Sequence, residues 1–147
     1  MNKAACCFFG HRDTPDTILS DIRETVRKLI SEGHIHLFYV GNRGAFDRLV
    51  YQALCALRVE FPHISVFVVL SRVGELTWAA PEDTIFPEEA AMAPPRFAIS
   101  YCNRWMLNKV GTVVVYITRS YGGAYSFAQI AERKGKAVVN LAQKSRD

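Results

Sequence analysis

Apolar positions along the chain switch between two periods. Residues 4–9 form a short unbroken apolar run ending at Gly10, the pattern of a strand buried on both faces. Thr14-Pro15-Asp16 then offers an N-cap, a proline at the first helical position and an acid in the first turn. Ile18, Ile22, Val26, Leu29 and Ile30 follow at helical spacing, with Gly33 placed to end the helix. A second strand is predicted over 36–40, broken by Gly41-Asn42-Arg43-Gly44. Phe46, Leu49, Val50, Ala53, Leu54 and Leu57 then mark one face of an amphipathic helix.

Residues 65–70 read as a third strand. Residues 71–95 show no periodicity and carry Pro81, Pro87, Pro94 and Pro95, a connection of the length that is usually functional or mobile. A helix is predicted over 96–109, with Ile99, Cys102 and Met106 on its apolar face and Trp105 off it. That ring packs either within the chain or against a second subunit in a homo-oligomer. Residues 112–117, almost purely β-branched, give the strongest strand signal. A helix to about residue 134 and a fifth strand over 137–141 complete the pattern.

Strands alternating with helices imply right-handed crossovers. The expected fold is α/β: one Rossmann-like three-layer domain over residues 1–147, with a mainly parallel five-stranded sheet and helices on both faces. The length of 147 residues suits about one domain, and 50% hydrophobic with 22% charged residues argues for an ample core. Only the tail, residues 144–147, is expected to fray.

No apolar run approaches the roughly 20 residues needed to span a bilayer, and the N-terminal stretch is a poor signal peptide. A cytoplasmic protein without a membrane role is expected. Cys6, Cys7, Cys55 and Cys102 have no metal-ligand spacing and read as core residues in a reducing compartment, so no metal site is expected and no cofactor is implied. The net charge of +4 suits a polyanionic partner, whether a phosphate-bearing small molecule or a nucleic acid.

Ligands of open α/β sheets bind beyond the carboxyl ends of the strands, where the strand order reverses. Three loops there carry unusual residues. After the first strand, Gly10 permits a sharp exit while His11 and Arg12 bring donors to the sheet's mouth; a helix-cap partner and a solvated cation are the alternatives. After the second, Gly41, Asn42, Arg43 and Gly44 lead into a helix N-terminus suited to an anion, and Asp47 either caps that helix or meets a ribose hydroxyl. After the fourth, Gly122 and Gly123 open a helix toward a phosphate, Ser120 and Ser126 add hydroxyls, and Tyr121 and Tyr125 are placed to flank a base or sugar. There is no GxGxxG after the first strand, no GxxxxGK[ST] and no GxSxG, which disfavours the common Rossmann functions.

Cys7-Phe8-Phe9-Gly10-His11-Arg12, Gly41-Asn42-Arg43-Gly44-Ala45-Phe46-Asp47, Asn103-Arg104-Trp105-Met106 and Gly122-Gly123 together resemble, in order and over nearly the whole chain, the SLOG superfamily, and within it the small YoqJ/YpsA-like branch. The resemblance implies a Rossmann-like fold that senses or processes nucleotide-derived ligands. It adds Asn103 and Arg104 to the candidate binding residues, Arg104 as a phosphate contact or a surface ion pair, and it marks Phe46 as core. Relatives include the DNA-processing protein DprA and the LOG phosphoribohydrolases.

The hydrolytic LOG pattern, PGGxGTxxE, departs here: Gln129 stands at the acid's place and cannot ionise, and Tyr125 fills a glycine's space. Binding of a nucleoside phosphate or ADP-ribose-like ligand without turnover is therefore the favoured expectation. N-glycosidic hydrolysis would need another carboxylate, Asp47 being the catalytic candidate, with Glu75, Glu82, Asp83, Glu88 and Glu89 behind it. Single-stranded DNA binding is the third reading, weakened because Lys and Arg are scattered rather than gathered in a stripe.

Overall fold

The protein is described here by a computed structural model covering residues 2–144. In chain order it contains β1 (Asn2–Gly10), α1 (Leu19–Ser31), β2 (Leu37–Val40), α2 (Ala45–Glu60), β3 (Ser65–Val69), β4 (Thr84–Ile85), α3 (Ala98–Lys109), β5 (Val110–Tyr116), α4 (Gly123–Arg133), β6 (Ala137–Asn140) and the single turn α5 (Leu141–Lys144). The strands form one parallel sheet in the order β4-β3-β2-β1-β5-β6. The α/β Rossmann-like expectation holds, with six strands in place of five.

The sixth strand is β4. Its two residues, paired with Val68 and Val69 of β3, are too few to show a period of their own and owe their conformation to the edge they join. Of the tail expected to fray, Lys144 belongs to α5 and residues 145–147 lie outside the described residues.

Successive side chains of β1 enter opposite layers, as the period-2 geometry of a strand dictates. Cys6 and Phe8 pack with Ile22 and Val26 of α1 and Val50 and Leu54 of α2. Ala5, Cys7 and Phe9 pack with Cys102 and Met106 of α3 and Phe127 and Ala131 of α4. Every apolar position predicted for α2 is buried, Phe46 included at 1% exposure. Burying side chains of this size stabilises the fold by about 1.5–3 kcal/mol each.

Helix boundaries moved where backbone hydrogen bonding overrode the sequence cue. Pro15 precedes a 3-10 turn, Asp16–Ile18, before α1 begins. The Thr14 hydroxyl donates to the His11 carbonyl at 2.6 Å instead of capping a helix. The helix ends at Ser31, two residues before Gly33, and the left-handed residue beyond it is His34 (φ 55°). Another 3-10 turn, Pro95–Phe97, takes the first positions expected of α3. Trp105 packs within the chain, its ring edge-on to Tyr39 at 5.5 Å with the Lys109 ammonium 4.9 Å from its centroid.

Of the four free cysteines, Cys6, Cys7 and Cys102 are buried and Cys55 is half-buried; burial pushes the Cys7 thiol well above its ordinary pKa. No helix among the described residues is long and apolar enough to cross a membrane.

Candidate functional site

The strand order reverses beside β1: the chain moves outward through β2, β3 and β4, then returns to place β5 on β1's other flank. The connections on either side diverge and leave a crevice at the carboxyl ends of β1 and β5. A cleft of about 320 Å³ occupies it, lined among others by Gly10, His11, Arg12, Arg43, Asp47 and Arg119. Gly41, Asn103, Gly122 and Gly123 also reach its wall.

Gly10 ends β1 directly against α2. A Cβ there would run into the ring of Phe46, so only glycine lets this loop leave the sheet under the helix. His11 is buried, at 5% exposure. Its Nε2 accepts the Thr118 N–H at 3.1 Å, which fixes the proton of the neutral ring on Nδ1 and ties the loop after β1 to the loop after β5. Burial, then the Arg119 charge, hold its pKa below the ordinary value. Arg12 is exposed at the rim; its carbonyl accepts the Ala45 N–H at 3.0 Å, and its guanidinium makes no hydrogen bond or ion pair among the described residues.

The loop after β2 is largely occupied with itself. Asn42 donates to Glu75 at 2.8 Å and to the Leu76 carbonyl at 2.9 Å, and accepts the Thr77 hydroxyl at 2.8 Å. Arg43 pairs with Glu75 at 3.2 Å. Burial raises the Glu75 carboxyl, but hydrogen bonds from Ser71 and Asn42 and the Arg43 charge outweigh it and leave the pKa lowered. At the N-terminus of α2 the Arg12 carbonyl takes the Ala45 N–H, and Gly44 packs against the Arg12 backbone. Asp47, in the first turn of α2, accepts the Arg43 N–H at 3.0 Å. Burial pushes its carboxyl up to about 6, against the pull of that hydrogen bond and of Arg43 and Arg12.

The N-terminus of α4 is open. Its first N–H groups have no carbonyl one turn behind them. Gly122 sits at φ 97°, a conformation that favours glycine, and a side chain at Gly122 or Gly123 would meet nothing within 4 Å. The helix therefore presents its positive end uncovered.

Arg119 is the cleft residue that sequence reasoning passed over, although it stands in the loop singled out after the fourth strand. Its signal was a lone cation three residues past a buried strand. It pairs with Asp13 at 3.2 Å and lies 5.4 Å from the centre of the Tyr121 ring. Its Nε and that of Arg43 are buried with no hydrogen-bond partner among the described residues. Each such orphan costs about 1–3 kcal/mol, and a shift toward an incoming acceptor relieves it.

Other candidates lie elsewhere. Ser120, Tyr125 and Gln129 line a separate depression with Asn140. The Ser126 hydroxyl donates back to the Gly122 carbonyl at 3.1 Å. Arg104 faces an apolar groove with Met92 and Phe97. Asp83 is held by Arg58 at 2.8 Å and by the Tyr51 hydroxyl at 2.6 Å, fastening the long segment to α2. Glu82, Glu88 and Glu89 are exposed, and Glu89 borders the groove of Arg104. Among the described residues, no cluster of His, Cys, Asp or Glu is placed to hold a metal.

Compared with protein-family models and with curated proteins, the chain matches none.

Proposed function

We propose that this cleft binds a nucleotide-derived ligand, a nucleoside phosphate or an ADP-ribose-like molecule, and that it does so without turnover. The observation that carries the reading is the convergence of Arg12, Arg43, Arg119 and the open α4 N-terminus on one cleft at the strand-order reversal. A phosphate there gains charge-assisted hydrogen bonds from guanidinium groups and backbone N–H groups together. The Arg12 guanidinium makes no hydrogen bond or ion pair among the described residues that a ligand would have to displace, and Gly122 and Gly123 leave room for close approach. The SLOG resemblance of the same loops implies the same ligand class.

Calorimetric titration with nucleoside mono-, di- and triphosphates and ADP-ribose tests this. Saturable binding is expected. Arg12→Ala should weaken it roughly 10- to 100-fold, the loss of one charged hydrogen bond of about 1.5–3 kcal/mol, without changing the melting temperature. No binding across the panel, or full binding by Arg12→Ala, overturns the proposal.

One observation favours N-glycosidic hydrolysis as a second reading: a cleft-wall carboxyl, Asp47, with its pKa raised to about 6, suited to proton transfer near neutral pH. Against it, Asp47 already accepts the Arg43 N–H, and Gln129 lies on the other depression. Release of free base that disappears in Asp47→Asn would replace the first reading with this one.

A further inference from the structure

A second cavity, of about 570 Å³, opens between the N-terminal ends of α1 and α2, with Asp16, Arg48, Leu49, Gln52 and Trp78 in its wall. Arg43 lines this cavity and the cleft alike. We propose that this cavity is the seat of a nucleobase whose phosphate lies in the cleft, Trp78 being the stacking platform and Gln52 the reader of the base edge.

Trp78 sits in the aperiodic segment after β3, with one side of its ring packed against the core. Two polar clamps add to this packing. On one side the Thr77 hydroxyl donates to Asn42, whose amide holds Glu75 and the Leu76 carbonyl. On the other, the Tyr51 hydroxyl accepts the Ala80 N–H at 3.0 Å while donating to Asp83, itself bound by Arg58. Between these fixed points the Trp78 ring lies 5.3 Å from that of Tyr51, half-buried, and still forms part of the cavity wall. Core packing and polar clamps together hold an indole in place next to open space, the arrangement that base stacking requires.

The rest of the wall suits a base more than a sugar or a lipid. Leu49 is apolar, Gln52 carries one acceptor and two donors, and Asp16 and Arg48 offer a further acceptor and donor. Asn42 organises the segment that presents Trp78, and Arg43, which pairs with Glu75 of that segment, stands between the two spaces and lines both. The inference rests on the phosphate reading of the cleft, and its test separates the two.

Trp105→Phe leaves Trp78 as the sole tryptophan reporter. In that background adenosine 5′-monophosphate and uridine 5′-monophosphate should quench the fluorescence on saturation, while ribose 5-phosphate, which has no base, should bind without quenching. Trp78→Leu should weaken the nucleotides roughly tenfold or more and leave ribose 5-phosphate unchanged. Gln52→Leu, a change at an exposed position, should weaken the nucleotides alone. Nucleotide binding without quenching, and at full strength in both variants, overturns the base subsite and leaves the phosphate reading standing. Quenching by adenosine, with ribose 5-phosphate inert, leaves the subsite and overturns the phosphate reading. Silence from every probe overturns both.

Discussion

At Asp47, burial and charge conflict. It is 8% exposed, yet it stands where a helix start welcomes an acid. With a folded value of about 6 against the ordinary 3.8, the folded protein binds more protons than the unfolded chain between those values. Its contribution to stability is therefore full below about 3.8 and is lost as the pH rises through about 6. Asp47→Asn keeps an acceptor for the Arg43 N–H without the charge. It should stabilise the protein by roughly 1–3 kcal/mol at pH 8 and not at pH 4, measured by denaturant unfolding at both. Equal effects at the two pH values would show that the carboxyl titrates normally. Asp47 was legible in the sequence because acid at a helix start is a strong local cue. Arg119 was not, because its place in the cleft comes from His11 and Asp13, more than a hundred residues earlier.

Two elements show how side chains fix irregular chain. His11 joins the loop after β1 to the loop after β5, and as an acceptor through Nε2 it must be neutral. Tyr116, Asp13 and Arg119 face it. With its pKa lowered, its contribution is full above the ordinary value and is lost as the pH falls through the lowered one. Nitrogen-15 NMR should find the proton on Nδ1 at pH 7 and a midpoint below 6.5; a midpoint above it would contradict the tie.

The long segment depends likewise on Asp83, whose bonds to Arg58 and then Tyr51 hold its pKa down, opposing its own burial. Asp83→Asn should cost about 1–3 kcal/mol and expose residues 71–95 to limited proteolysis ahead of the rest of the chain. Cleavage elsewhere first would remove the clamp from the account. Periodicity displayed the long helices and buried strands but not this segment. Its order comes from polar pairs between residues 25 and 32 positions apart, a separation that leaves no local pattern.

At the scale of the molecule, the strand order matters most, and it was the least legible feature. Alternating strands and helices predicted a parallel sheet, but which strands flank β1 depends on crossover directions that the sequence does not print. Once β5 lies beside β1, the glycine-led loops meet and their cations gather. The remaining Lys and Arg stay dispersed, two of them in surface ion pairs, Arg27 with Glu60 and Lys28 with Glu24. A local cluster on a modest net charge of +4 distinguishes a small anion from a nucleic acid by its salt dependence. A nucleotide phosphate bound in the cleft would meet only its few charges, partly shielded from mobile ions, so its affinity should fall only a few-fold between 50 and 500 mM salt. Single-stranded DNA engaging many dispersed cations releases a counterion at nearly every contact, and its affinity would fall by orders of magnitude over the same range. Titrating a fluorescent mononucleotide and a fluorescent single-stranded oligonucleotide at both salts should give the shallow slope for the first and, at 500 mM, no retained binding for the second. Tight oligonucleotide binding at 50 mM with a steep slope, and none by the mononucleotide, would move the function from the cleft to the surface.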